Sequence, residues 1–346
     1  MKRKPTPTLP KGGRINAKIT KQISALPNSS PSGRLGGASR IAIIDLGTNT
    51  FNLLIAEVNS DKTYQLLFQT KIGVKLGEGG INKGFIAPLP FQRGIEALKT
   101  HQQTIKKYNV EKIVAFATSA IRGASNGIEF VTKAKEELNI DIQIISGDRE
   151  AELIYYGVRN AVKMAQQTSL IIDIGGGSTE FIISNHNQII WKQSFLLGIA
   201  RLLELFNPSD PITDKELKTI ADYLNQQLQP LFEAVKKYPV TELIGASGSF
   251  DSIAEMVAYK FYAPAILEGK TEFTFNLDDC RIIHQMILKS TLSERLQMKG
   301  LAQMRADMIV ISSILVHFIV DSFAIPKMRL STYSLKEGVM WEILNS

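Results

Sequence analysis

From residue 41 onward, short apolar runs alternate with stretches of helical period. The runs 41–45, 52–58 and 64–70 read as strands, 112–117 has the largely apolar character of a buried strand, and 141–145 is another candidate. Between them, 91–108 places Phe91, Ile95, Leu98 and Ile105 on one side of a predicted helix, and a second helix is predicted over 148–163. The pattern then restarts, with strands at 170–173 and 180–184, a helix over 215–237, a strand at 242–245 and a helix over 250–259. The C-terminal part reads as mostly helical, including 306–320 and 335–344. Such alternation predicts an α/β architecture of sheets covered by helices. The longest apolar stretch, 308–320, contains Ser312, Ser313 and His317 and ends at Asp321. It is too short and interrupted to cross a bilayer, so it predicts a buried helix and no membrane insertion.

Residues 1–40 do not follow this pattern. They are rich in Pro, Gly and Ser and lack aromatics, which predicts a disordered basic tail. Within it Ile15, Ile19, Ile23 and Leu26 recur at helical spacing beside Lys18 and Lys21, so a basic amphipathic helix is the competing reading. No apolar segment of a secretory signal follows. The tail also explains the net charge of +7. Nine of the 40 basic residues lie in it with no acid, leaving 31 against 33 acids, a net of −2. Bulk charge therefore gives no support for nucleic-acid binding by the folded part. The remaining composition, 44% hydrophobic and 21% charged over 346 residues, supplies a core for two domains. Cys280 is the lone cysteine, which excludes an intrachain disulfide and fits a reducing, cytoplasmic location. His101, His186, His284 and His317 have no zinc-type spacing.

The restart is a repeat. IIDLGTNT (43–50) is echoed by IIDIGGGST (171–179), with Asp45 and Asp173 lying 128 residues apart. Each unit is a strand ending in Asp, a turn rich in Gly and hydroxyls, and a second strand. Gly47, or Gly175, Gly176 and Gly177, lets backbone N–H groups converge on an anion, with Thr48, Asn49, Thr50, Ser178 and Thr179 beside them. The aspartates can hold Mg²⁺ against phosphate oxygens. A structural hairpin is the plain alternative for one such turn, but two matched turns favour phosphate binding in a cleft between lobes.

These segments resemble the phosphate loops of the actin-like ATPase superfamily, and within it the exopolyphosphatase and guanosine pentaphosphate phosphohydrolase (Ppx/GppA) family. KLGEG (75–79), ATSAIRGA (117–124), ISGDREAEL (145–153), LGIARLLELF (197–206), GASGS (245–249), MRADMI (304–309) and RLSTYSLKEGV (329–339) match in order. The resemblance covers 41–346 and implies the short, two-domain form. Two ribonuclease H-like lobes would flank an interdomain cleft, lobe I being 41–161 with 335–346 and lobe II 162–334. It implies Glu150 as the base, where the alternative is a carboxylate favoured by a helix N-terminus. It implies Glu180 near the attacking water and with Asp45 and Asp173 at the metal, against a solvated strand residue. It implies Arg122 and Ser119 as phosphate contacts, against a surface salt bridge for Arg122. Gly248 would give a further phosphate contact, and Arg201 and Glu204 would be packing or interlobe residues.

The implied activity is Mg²⁺-dependent removal of the terminal phosphate of inorganic polyphosphate. The rival is 5′-phosphohydrolysis of guanosine pentaphosphate. A kinase and a non-catalytic polyphosphate or nucleotide sensor are more distant alternatives, and a homodimer is left open. With a folded part of net charge −2, a track for a polyanion would need local basic residues, for which Lys75, Arg122 and Arg149 are the candidates. Removing residues 1–37 is expected to leave both the melting temperature and phosphate release unchanged. A clear fall in either would show that the tail packs on the core.

Overall fold

The structure, a computed structural model, describes residues 38–346. The disorder and amphipathic-helix readings of the tail lie outside those residues. In the first lobe β1 (Ser39–Leu46), β2 (Thr50–Val58) and β3 (Tyr64–Gly73) form an antiparallel meander. Helix α1 (Pro88–Lys107) returns the chain to β4 (Lys112–Ala117), parallel to β1. The single turn α2 (Ser119–Arg122) and α3 (Gly127–Leu138) lead to β5 (Ile142–Ile144), giving the order β3-β2-β1-β4-β5. Helix α4 (Gly147–Ala161) then carries the chain to a second meander, β6 (Ser169–Ile174), β7 (Thr179–Ser184) and β8 (Ile189–Phe195). After α5 (Ile199–Phe206), α6 (Asp214–Gln227) and α7 (Gln229–Lys237), β9 (Glu242–Ala246) pairs parallel to β6. Helix α8 (Gly248–Phe261), β10 (Glu272–Phe275), α9 (Leu277–Leu288), α10 (Leu292–Arg295), α11 (Ile309–Ser322), β11 (Met328–Ser331) and α12 (Leu335–Asn345) complete the chain. The second sheet is ordered β8-β7-β6-β9-β11-β10, which repeats the first topology and adds β10 as an antiparallel edge. The expected pair of ribonuclease H-like lobes around a cleft is therefore present. Among the described residues no helix is long and apolar enough to cross a membrane.

The structure departs from the periodicity reading at one helix and three strands. The single helix expected over 215–237 is two helices meeting at Leu228, because Pro230 in the first turn of α7 cannot donate to the preceding turn and clashes with its carbonyl. The C-terminal part also contains β10 and β11, four residues each, too short to show a period. Strand β8 was not legible because Lys192, Gln193 and Ser194 interrupt its apolar character at a sheet edge.

Each central strand is buried on both faces, which explains its near-continuous apolar run. In β1, Ala42, Ile44 and Leu46 join a core under α1 and α3, while Ile41 and Ile43 face the opposite way. In β6, Leu170, Ile172 and Ile174 join the larger core of the second lobe, while Ile171 faces the other way. These second faces share one layer, filled by Leu153, Ile154 and Val158 of α4 and Leu335, Val339 and Met340 of α12. The two helices are exchanged: α4, which follows the first sheet, packs on β7 and β8, and α12, which follows the second sheet, packs on β1. They cross at Gly157 and Gly338. A Cβ on Gly157 would overlap the Ser334 carbonyl, and one on Gly338 would overlap the Leu153 carbonyl.

Gly338→Ala is accordingly expected to destabilise the protein by about 2 kcal/mol or more, since backbone rather than a flexible side chain must give way. Urea denaturation measures this. A loss below the scatter of the measurement would show that the crossing tolerates separation.

Candidate active site

The two turns predicted to bind phosphate have the same hydrogen bonding. Gly47 N–H donates to the Thr50 carbonyl at 3.1 Å, and Gly175 N–H to the Ser178 carbonyl at 3.0 Å. In the strands behind them Asp45 lies opposite Asn52, and Asp173 opposite Glu180. The turns face each other at close range. A Cβ on Gly176 would lie 2.6 Å from Asn49 Nδ2, and one on Gly177 would lie 2.6 Å from Thr48 Oγ1 and 2.7 Å from Ser119 Oγ. The glycines are needed here for close approach; none of them has a left-handed φ. Ser119 Oγ is buried and has no hydrogen-bond partner among the described residues, so it is a donor held ready for an acceptor in the cleft.

A cavity of about 760 Å³ lies between the lobes. It is lined by Asp45, Gly47, Thr48, Asn49, Thr50, Ser119, Glu150, Asp173, Gly175, Gly176, Gly177, Ser178 and Gly248. Three expected site residues lie outside that lining. Thr179 begins β7 and turns into the core, its Oγ1 donating to the Leu197 carbonyl at 2.9 Å. Glu180 is fully buried behind the wall, with Oε1 accepting from Ser194 Oγ at 2.7 Å; the solvated-strand alternative is excluded. Arg122 is engaged by protein groups, its NH1 donating to Glu150 Oε2 and to the Ile145 carbonyl, each at 2.9 Å. Its side-chain partner is the expected base, so the surface salt-bridge alternative does not describe it.

Of the candidates for a basic track, Lys75 lines the cavity and Arg149 does not. Lys75 pairs with Asp307 at 2.7 Å, and Arg149 turns away to Glu152 and Glu342. The cations that line the cavity include Lys71, Arg305 and Lys336. The Arg305 guanidinium lies directly over Gly248, so a ligand approaching that glycine meets it first. Arg201 is the interlobe residue expected of it: Nε donates to the Gly177 carbonyl at 2.9 Å and NH1 to the Ile81 carbonyl at 2.7 Å.

Several lining residues were missed. Lys336 and Ser334 lie in the segment RLSTYSLKEGV, whose individual side chains carry no local signal of a site. Ser247 has φ 67° and ψ 178°, a conformation costing about 1–3 kcal/mol in a non-glycine residue that no local sequence rule announces.

Burial dominates the electrostatics. It pushes Glu150 well above the usual carboxylate range, helped by the Glu180 charge and opposed by Arg122. It pushes Glu180 up to about 7, helped by Asp173 and opposed by Ser178 and Ser194. Asp45, partly open to the cavity but otherwise surrounded by protein, is pushed up to about 6 by the same burial, against Asn52. Asp173 is raised by burial despite hydrogen bonds from Ser334 and Ser247. Among the described residues no three His, Cys, Asp or Glu side chains are grouped to hold a metal ion, so Asp45, Asp173 and Glu180 do not form a ready three-ligand cage. Mg²⁺ needs only one or two carboxylates when water and phosphate oxygens complete its shell. Asp45 and Asp173, at the cavity wall and raised by burial, fit that lesser requirement.

The profile of the Ppx/GppA phosphatase family matches residues 54–346. A Haemophilus influenzae protein provisionally named an exopolyphosphatase is 27% identical over 308 residues, covering 89% of this chain and 92% of that one. The crystal structure of an exopolyphosphatase from Cytophaga hutchinsonii is 40% identical with a TM-score of 0.84, covering 89% of this chain and 98% of that one. A Ppx/GppA family member from Aquifex aeolicus is 25% identical with a TM-score of 0.73, covering 89% and 99%.

The raised pKa of Glu180 has a definite sign in stability. Its neutral form is favoured in the fold, so its contribution is full below its unfolded value of 4.5 and is lost as pH rises through about 7. Buried His101, His284 and His317, with lowered pKa values, act oppositely below 6.5, so the informative quantity is a difference between proteins. In metal-free buffer the melting temperature of Glu180→Gln is expected to rise relative to the native protein between pH 5 and pH 8, by an amount reflecting on the order of 3 kcal/mol. A difference that stays flat with pH would contradict the raised value.

Proposed function

The chain belongs to the Ppx/GppA phosphatase family, and on that premise we propose that it removes the terminal orthophosphate of inorganic polyphosphate in a Mg²⁺-dependent hydrolysis. At the coarser level it is an exopolyphosphatase-like phosphatase, a hydrolase of phosphoanhydrides. The observation that carries the proposal is the placement of Glu150. It stands on the first turn of α4, buried, at the cavity wall, with one carboxylate oxygen held by Arg122 at 2.9 Å. The two loops belong to lobe I (41–161 with 335–346) and lobe II (162–334) in this reading.

The chain's own groups divide the work. The turns at 47–50 and 175–178 and the unpaired Ser119 hydroxyl hold the terminal phosphates in line with Glu150. Glu150 orients a water and accepts its proton at the free carboxylate oxygen as the water oxygen attacks phosphorus and the P–O bond to the leaving phosphate breaks. Arg122 fixes the rotamer of that carboxylate, and the Glu180 charge behind it raises its proton affinity toward neutrality. Mg²⁺, when held by Asp45 or Asp173, would neutralise phosphate oxygen charge. The Arg305 guanidinium beside Gly248 supports a polyphosphate substrate, because it adds a fixed cation to the cavity wall that suits phosphate oxygens.

Glu150→Gln is expected to lower turnover about 10²–10⁴-fold on polyphosphate, with KM changed only a few-fold. Native enzyme assayed in parallel on polyphosphate and guanosine pentaphosphate should favour polyphosphate and lose activity in EDTA. Near-normal turnover of the variant removes Glu150 as base, and preference for the nucleotide reverses the substrate assignment.

A further inference from the structure

Lys336 has no role in the mechanism above, yet its side chain lies in the cleft, only 17% exposed and lining the main cavity. Its position is built rather than incidental. Nζ pairs with Glu337 Oε1 at 2.8 Å. The other oxygen of Glu337 accepts the Ser334 N–H at 2.9 Å, closing the capping box that starts α12. Ser334 Oγ in turn donates to Asp173 Oδ2. A continuous ladder therefore runs from the carboxylate at the end of β6, through Ser334 and Glu337, to the ammonium of Lys336.

That ammonium lies in the field of carboxylates from both lobes: Asp45 at the end of β1, Asp173 at the end of β6 and Asp251 in the first turn of α8. Arg305 and Lys71 share the field of Asp251 and Arg305 also that of Asp173, whereas Lys336 is the cation that acts on Asp45. Asp45 and Asp173 are the two groups suited to a divalent ion, and a cation tethered on the wall of the same cavity opposes the arrival of another.

We propose that Lys336 is a built-in counter-ion for the Asp45 and Asp173 carboxylates, competing with the divalent cation for them and so setting how tightly the cleft holds metal. It is a positioning residue: it keeps the opposed carboxylates of the two lobes together when no metal is bound, and it weakens metal uptake so that the ion binds strongly only when phosphate oxygens add their charge. This rests on the metal-dependent reading above.

The test is titration of the metal-stripped full chain with Mg²⁺ alone, without any phosphate compound, by isothermal titration calorimetry. Lys336→Met is expected to bind Mg²⁺ about 10-fold more tightly than the native protein, the order expected when a like charge sharing a cavity wall with a divalent ion is removed. Lys336→Arg, which keeps the charge, should match the native protein. Without metal, Lys336→Met should melt at lower temperature, and saturating Mg²⁺ should return it toward the native value. If that variant does not purify folded, Lys336→Gln enters the same titration. Mg²⁺ uptake by the native protein with equal or weaker uptake by the variant overturns the proposal alone. Absence of uptake by both overturns it together with the metal-dependent reading. A higher KM for polyphosphate with unchanged Mg²⁺ affinity would make Lys336 a phosphate contact and also overturn it.

Discussion

The site depends on how closely α4 and α12 cross between the two sheets. At that crossing Gly157 and Gly338 bring one helix backbone against the other. Helix α4 begins with the turn that carries Glu150, and α12 begins with the Ser334 cap that holds Asp173. Each helix leaves one sheet in the chain and packs on the other, so the crossing sets the relation of the lobes as well as that of two groups in the site. A side chain at either glycine would separate the helices, and the carboxylates of the two lobes would move with them. The shared apolar layer around the crossing supplies the rigidity, because close-packed interiors do not deform gradually.

Around this crossing the protein keeps acidic groups where burial disfavours their charge. Glu150, Asp173 and Glu180 are buried, and Asp45 reaches solvent only through the cavity. Such groups weaken the ligand-free fold at neutral pH unless something compensates them. Arg122 partly compensates Glu150, and Ser334 with Ser247 partly compensates Asp173. The compensation is incomplete, and that gives function: carboxylates with elevated proton affinity suit a base near neutral pH and a site completed by a cation.

The lobes are also tied directly across the cleft. Arg201 of α5 bonds to its own lobe at Gly177 and to the other at Ile81, while Asn82 Nδ2 donates back to the Arg201 carbonyl at 3.1 Å. These bonds go largely to backbone carbonyls, whose positions are fixed by the fold, so they hold the second phosphate loop at a fixed distance from the first lobe. The Lys75–Asp307 pair at the cavity mouth is more exposed, at 48% and 39%, and contributes little to stability by itself.

The sequence by itself determined the α/β class, the repeat, the two glycine-rich turns and the candidate carboxylates Asp45, Glu150, Asp173 and Glu180. Those are local features: an apolar run, a turn composition, a spacing. It left unread the split at Pro230 and the short strands β10 and β11, where the signal spans too few residues. Which way each functional side chain points, and against what, was decided by tertiary structure. Thr179 sits in the turn motif but belongs to the core, and Arg122, expected as a phosphate contact, holds Glu150, 28 residues away. Asp173 meets Ser334 from 161 residues further along the chain, and Lys336 acquires its neighbours only when α12 returns to the first sheet. The proton affinities follow the same division, since burial and the charges of chain-distant neighbours set them, and both exist only once the two lobes have closed around α4 and α12.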